Sequence, residues 1–411
     1  MTVRIAAIRV LDQVFSSHVK AGSAMAVAEC EEKDRRLLHE LVYGVLRHFF
    51  ALEADFSRFC KTKPDAIAHC ALLLGTYQLR HMRIPTHAAV SETVAAMGRM
   101  EPKAKGFVNA VLRRVTENEA PKKLKPHQRV ELPKWIYASW RDAFGAEIVQ
   151  GFSEVLKQPP ALCLAVFENR SEWIDQVQKM GIEAEPGTLS PYAVLLPSGT
   201  DVASLPGFAE GNFTVMDQAA QAAVMALNVS KQDALIVDIC AAPGGKTALL
   251  SKRYPQARVI AVELNEKRLP RLSENLERMR CDNVSVIRAD AGILPLLSNR
   301  VDAVMLDAPC SASGILRRHP DAKFLHDRDE VMKLAAIQLE LLSEAKRIVK
   351  ADAELVYAVC SIHEQENEDV LNNSEVLSKT RLFPSSSHDG FFFATVKADD
   401  GQFAIEKGSV Q

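Results

Sequence analysis

Apolar residues recur at helical spacing through residues 3–116. Ile5, Ile8, Leu11, Val14 and Phe15 mark one stripe; Leu37, Leu38, Leu41, Val42, Val45 and Leu46 mark another within 34–50. The period continues at about 65–81, 86–99 and 105–116, and nothing there alternates with period two for long. Such stripes predict amphipathic helices whose apolar faces meet in one core, an all-α bundle. Residues 117–132 (ENEAPKKLKPHQRVEL) interrupt the pattern with prolines and basic side chains and are expected to be a solvated linker. Beyond it the pattern is mixed: helix at Trp135–Phe144, strand at Ala161–Phe167, helix at Trp173–Met180, strand at Ala193–Leu196, and Thr214–Met216 leading into a helix. From residue 234 short apolar runs alternate with helical ones. ALIVDI (234–239), VIAVEL (259–264), VSVIRAD (284–290), VDAVMLD (301–307) and AELVYAVC (353–360) read as buried strands of a parallel, doubly wound sheet.

The chain is therefore expected to be multidomain. An all-α bundle occupies 1–125, a small α+β lobe 126–212 and an α/β doubly wound, Rossmann-like domain 213–398; a polar tail fills 399–411.

Composition sharpens this. Of 411 residues, 47% are hydrophobic and 25% charged, which excludes disorder, collagen and a disulfide-packed mini-protein. The net charge of −2 argues by itself against a nucleic-acid partner. It hides an asymmetry: residues 1–140 hold 22 Lys and Arg against 14 Asp and Glu, and residues 141–411 hold 28 against 38. A basic front joined to an acidic rear points back towards nucleic acid. The eight cysteines lack CxxC spacing and the eleven histidines lack HxxH or HExxH grouping, so reduced thiols, a cytoplasmic location and no metal are expected. No run is apolar enough to suggest a membrane span, and no signal peptide is visible at the start.

Ligands of doubly wound sheets sit at the carboxyl ends of the strands. Asp238, Glu263, Asp290, Asp307 and Cys360 all end predicted strands. After the first comes Cys240-Ala241-Ala242-Pro243-Gly244-Gly245-Lys246, whose small residues allow close approach by a ligand. A phosphate-binding P-loop would need glycine at 240, where Cys240 stands, and a dinucleotide fingerprint would need glycines at 240, 242 and 245, of which only Gly245 fits. A nucleoside cofactor without a pyrophosphate fits better. Glu263 suits two ribose hydroxyls and Asp290 an adenine amine, a set describing S-adenosylmethionine. Cys310 and Cys360 each fall just past a strand, where a reactive thiol is favoured over a core one.

These runs carry a resemblance. DICAAPGGKT (238–247), DAPCSASGILRRHPD (307–321), AVCS (358–361) with Glu366-Asn367, VMDQAAQ (215–221) and DGFFFA (389–394) resemble the Sun family of RNA cytosine-5 methyltransferases, specifically its bacterial ribosomal RNA branch of Fmu/Sun type. DRRLLHELVYGVLR (34–47), LLLGTYQL (72–79), IPTHAAVSETV (84–94) and GFVNAVLRR (106–114) resemble a NusB-like RNA-binding domain. The likeness implies an enzyme forming 5-methylcytosine in 16S ribosomal RNA, free or in an early assembly particle, with S-adenosylmethionine as cofactor, and a monomer. It implies that Cys360 attacks C6 of the cytosine, Asp307 holds the base edge and Cys310 resolves the adduct. It places the cofactor on residues 240–246, Glu263 and Asp290, with Asp307 close by, and the RNA backbone on Arg317, Arg318 and Lys323. DNA cytosine-5 enzymes use a Pro-Cys cysteine, here Cys310; the T-C-S-type cysteine and the NusB-like front favour Cys360. Departures are Val359 for the threonine of T-C-S, Ala165 and Phe167 in the usual Leu-Arg-Val-Asn run, and Phe324 for a tryptophan. They leave room for a weakened or retargeted enzyme acting as a non-catalytic assembly factor.

Overall fold

The computed structural model describes residues 2–398; the expected polar tail at 399–411 lies outside them. The chain divides into two compact units at Pro159/Pro160, and the segment Leu316–Arg328 belongs with the first.

The first unit is helical. It runs α1 (Val3–Ser17), α2 (Ala21–Val27), α3 (Arg35–Arg47), α4 (Phe49–Ser57), α5 (Ala66–His81), α6 (Thr86–Met100), α7 (Lys105–Glu117), α8 (Pro126–Arg129), α9 (Lys134–Phe144) and α10 (Ala146–Lys157). The two predicted stripes are buried: Ile8, Leu11, Val14, Leu38, Leu41, Val45 and Leu46 share one core. The helix expected over 34–50 breaks at His48, where α3 hands over to α4.

The expected solvated linker is corrected by its second half. α8 forms there, and Val130, Glu131 and Leu132 are buried. Glu131 accepts hydrogen bonds from Phe50 N at 2.8 Å and Ala51 N at 3.1 Å, satisfying free donors at the start of α4. Burial pushes its carboxyl up to about 7. Nothing in a local hydrophobic pattern announces a contact made 80 residues away.

The second unit holds two sheets. The smaller contains β1 (Leu162–Val166), β2 (Glu185–Pro186), β3 (Ala193–Leu196) and β4 (Phe213–Val215), all antiparallel in the order β2-β3-β1-β4, with α11 (Arg170–Lys179) alongside. The larger contains β5 (Leu235–Ile239), β6 (Arg258–Glu263), β7 (Val284–Arg288), β8 (Val301–Asp307), β9 (Val349–Val359), β10 (Val376–Leu382) and β11 (Phe391–Lys397), in the order β10-β11-β9-β8-β5-β6-β7. Strands β5 to β9 are parallel as expected. β10 and β11 add an antiparallel edge, so the sheet is mixed. Its faces alternate with period two: Val237 and Ile239 join one core, Ile236 another. Helices α12 (Gln218–Met225) and α13 (Gly245–Arg253) cover one face. Further along come α14 (Leu269–Arg278), the short α15 (Ala322–Leu325) of the first unit, α16 (Arg328–Ile348) and α17 (Glu368–Leu371). Side chains of α16 and α17 cover the other face.

The VMDQAAQ run works as stitching. Asp217 caps α12 through Ala219 N at 2.9 Å. Gln218 accepts from Thr188 N and Leu189 N, and Gln221 donates to Leu164 O at 3.1 Å, tying α12 to the smaller sheet. Ala165 and Phe167 pack in the apolar core under α12, so the departures there leave no buried charge.

Candidate active site

The carboxyl edge of the parallel strands lies wholly in the second unit. After β5 the backbone turns at Cys240, whose φ of 64° is in the left-handed region. Ala241 N donates to Val262 O at 2.9 Å and Gly244 N to Ala241 O at 2.8 Å, closing the turn before α13. Gly244 has φ 103°, and a Cβ there would stand 2.9 Å from Leu272 Cδ1; only glycine combines that φ with that packing. Burial pushes the Cys240 thiol up to about 12, so it stays protonated.

Three acids of the series, Asp238, Asp307 and Glu263, are held by the scaffold or by a neighbour. Asp238 is fully buried and accepts from Thr247 Oγ1 at 2.5 Å; burial raises it to about 7. It is therefore not an open ligand. Asp307 is bridged by Lys246 Nζ at 2.7 Å. Burial opposes the charge on Lys246, but the attraction and hydrogen bond of Asp307 outweigh it, and its pKa is raised. A P-loop lysine reaches for phosphate; this one is occupied by a carboxylate.

Glu263 ends β6 and is 4% exposed. Its Oε1 accepts from Asn265 N at 2.9 Å, and Arg268 Nη1 stands 3.0 Å from Oε2. Arg268 also donates to Ala242 O, linking the acid to the glycine loop. Sequence reasoning missed Arg268, since a basic residue five positions past a strand carries no signal of its own. Asp290 is exposed beyond β7, with Oδ1 accepting from Gly292 N at 2.9 Å.

The two cysteines meet. β8 and β9 are parallel neighbours with Asp307 opposite Ala358, so Cys310 and Cys360 leave the sheet side by side, Sγ to Sγ 3.3 Å apart. The hydrogen bond with Cys360 raises the Cys310 thiol well above its ordinary value; burial and the charge of Glu366 add to it. Beneath them Glu366 is fully buried. It accepts from Ser311 N at 2.8 Å, from the Ser311 and Ser361 hydroxyls and from Gln338 Nε2 at 3.1 Å. Ser313 Oγ lies 2.9 Å from Ser361 Oγ and accepts from Ile362 N at 3.0 Å. Gly314 N donates to Cys360 O at 3.0 Å, and Gly390 N to Gly314 O at 2.8 Å. A Cβ on Gly314 would lie 2.1 Å from Gly390 O, and a Cβ on Gly390, the glycine in DGFFFA, would lie 2.8 Å from Gly314 Cα, so the crossing requires glycine on both sides. Ser311, Ser313, Ser361 and Glu366 all lie in motifs quoted above, but nothing in their spacing announces a shared network; Gln338, from α16, belongs to none of those motifs.

The expected RNA contacts separate. Arg317, Arg318 and Lys323 all belong to the first unit. Lys323 is 4% exposed, donates to Glu131 O at 2.9 Å and lies over the Phe50 and Phe324 rings. Burial lowers its ammonium to about 8 against the pull of Glu131. Arg317 is 3% exposed and its carbonyl accepts from Arg47 Nε at 3.3 Å. Both side chains are thus buried rather than presented on the surface; Arg318 is half-buried. Phe324 packs edge-on against Phe15 and Phe49, so its ring fills a core in place of the usual indole. Among the described residues no cluster of His, Cys, Asp or Glu could hold a metal, and no helix is long and apolar enough to cross a membrane.

Comparison with known proteins agrees with this architecture. Residues 1–117 match the NusB family, 132–203 the ferredoxin-like domain of RsmF/B-like methyltransferases, and 224–388 the 16S rRNA methyltransferase RsmB/F family. Among solved structures, that of PH0851 is similar with a TM-score of 0.79 at 21% identity, covering 97% of this chain and 99% of that one. A methyltransferase homolog from Pyrococcus horikoshii gives 0.58 at 23% identity, covering 68% and 100%. Fold and site edge together define a multidomain α/β methyltransferase with a NusB-type helical front. Ribosomal RNA small subunit methyltransferase B of Vibrio cholerae is 37% identical over 89% of this chain and 87% of its own length; that of Photorhabdus laumondii is 33% identical over 88% and 90%. The chain belongs to this 16S rRNA methyltransferase family.

Proposed function

We propose that the protein methylates C5 of a cytosine in 16S ribosomal RNA, using S-adenosylmethionine, through a covalent bond between Cys360 and C6 of the base. The residues fit the cofactor. The loop 240–245 has no side chain longer than Cys240 or Pro243 in front of α13, Glu263 presents a carboxylate at the end of β6, and Lys246 is paired with Asp307 and so is not offered to a phosphate. Glu263 and Asp290 would hold the nucleoside, and residues 240–246 its amino-acid end. The cofactor supplies an electrophilic methyl group.

The chain's own residues do the rest. The Cys360 thiolate forms the Sγ–C6 bond, and the C5=C6 electron pair makes C5 nucleophilic. Asp307, fixed by Lys246, holds the N3–N4 edge as charge moves onto the ring. Once C5 is methylated its proton passes to solvent, the C–H electron pair re-forms the C5=C6 bond and the Cys360 sulfur leaves as the thiolate. Cys310 keeps its proton beside Cys360, consistent with a donor that steadies the neighbouring thiolate and acts in release. The target base must leave its stack to reach the thiols, a step costing a few kcal/mol.

The observation carrying this reading is the pair of thiols 3.3 Å apart beside Asp307, on the edge that also presents Glu263. It is tested with labelled 16S rRNA on denaturing gels. Cys310→Ala is expected to accumulate a protein–RNA adduct and Cys360→Ala to form none. The reverse pattern would move the nucleophile to Cys310.

A further inference from the structure

A groove of about 930 Å³ lies between α6 and α7, and the chemistry above makes no use of it. α7 lines it with Lys105, Asn109 and Arg113. Their i, i+4, i+8 spacing sets donor groups about 6 Å apart along one helix face. α6 faces them with Thr86, His87 and Ser91, and Val90 and Val94 add apolar surface. No acidic side chain lines the groove. Arg58 and Arg80 of the same bundle are neutralised by Asp55, whereas Lys105 and Arg113 form no such pair among the described residues. The Lys105 stem lies against α6 where Gly98 has no side chain; a Cβ there would come 3.0 Å from Lys105 Cδ. α6 starts at Thr86 with no side-chain cap, so the positive end of a 15-residue helix adds to the same groove.

Two unpaired cations, an amide, hydroxyls and free helix donors without a single carboxylate complement a regular polyanion. We infer that this groove seats the phosphodiester backbone of a single RNA strand. Contacts of this type position a strand without reading its bases. The inference deepens the reading of the protein as an rRNA methyltransferase and rests on RNA being its substrate.

The test uses the full chain carrying Lys105→Gln with Arg113→Gln. The control, Lys61→Gln with Lys63→Gln, makes the same charge change on exposed positions ahead of α5. All four side chains are exposed, so melting temperatures should not move. Binding to a 16S rRNA fragment is measured across a salt series, and methyl transfer is measured on the same RNA. The groove variant is expected to bind roughly tenfold more weakly at about 0.15 M salt, with a log–log salt slope smaller by roughly 1.4, about 0.7 per lost single-strand contact. KM should rise while kcat holds. A groove variant indistinguishable from the control overturns the inference, as does a wild-type chain that binds no rRNA. A wild-type chain that binds RNA through the groove yet methylates none overturns the functional reading and leaves the groove standing.

Discussion

Glu366 lies under both cysteines and takes hydrogen bonds from the residue after each of them, Ser311 and Ser361. Replacing it with glutamine keeps the shape but puts an amide donor where donors already converge. Glu366→Gln should cost about 1–3 kcal/mol in urea unfolding. It should also lower the yield of RNA adduct in a Cys310→Ala background, because the Cys310 and Cys360 loops lose their common anchor. Unchanged stability and adduct yield would remove Glu366 from the site. Asp238 makes a prediction in pH. Its folded pKa, about 7, is raised by burial from the ordinary aspartate value of 3.8. The native state therefore holds this proton more tightly than the unfolded state does. Its stabilising effect is full below about pH 4 and is lost as pH rises through 7. Asp238→Asn abolishes that loss. Wild type and variant should be similar near pH 4, while at pH 8 the variant should be the more stable, by on the order of a few kcal/mol. An equal gap at both pH values would mean that the proton is not held at Asp238. At this scale the sequence showed which chemical groups were available. It could not show that Asp238 is sealed inside while Asp290, also past a strand, is open.

Among the elements, the central parallel strands were legible because a strand buried on both faces must be largely apolar. VDAVMLD and AELVYAVC are legible on that ground, each with one acid, Asp302 or Glu354, at its second position. β10 was not: VLSKTRL is an edge strand with polar side chains, and its pairing with β11 supplies what its composition does not. α8 and Glu131 were missed for a related reason, since their partners lie in α4 and their local sequence is that of a linker. The close crossing of Gly314 and Gly390 also belongs to this scale. Gly314→Ala would set a methyl against Gly390 backbone atoms, none of which belongs to a flexible side chain. It should lower stability by about 1–3 kcal/mol through overpacking and slow methyl transfer by shifting the strand end that carries Cys360. A melt and a turnover assay on the same preparation check both effects. A variant that melts and turns over as wild type would show that the two backbones can part freely.

For the whole molecule, the near-neutral charge conceals a division of labour. The first 140 residues are basic, and the groove of α6 and α7 concentrates part of that charge where no acid answers it. The rear holds the acids assigned to the nucleoside. A ligand of the folded state raises its stability, so S-adenosylmethionine at about 100 times its dissociation constant should add about 2.7 kcal/mol and raise the melting temperature, and ATP should not. Glu263→Ala should reduce that shift. No response to S-adenosylmethionine or S-adenosylhomocysteine would sink the cofactor assignment.

The sequence by itself determined the helical front, the parallel strands and the family. Each rests on local periodicity or on short runs such as CAAPGGK and DAPCS, where spacing along the chain carries the information. Only the tertiary structure decided that Cys310 and Cys360 stand 3.3 Å apart, that Glu366 joins their loops and that Lys246 is taken by Asp307. It also decided that Lys323 and Arg317, in a segment grouped with the helical unit, are buried. These contacts join residues about 50 to 280 positions apart. Hydrophobic periodicity says which face of an element is buried, but not which distant side chain will meet it there.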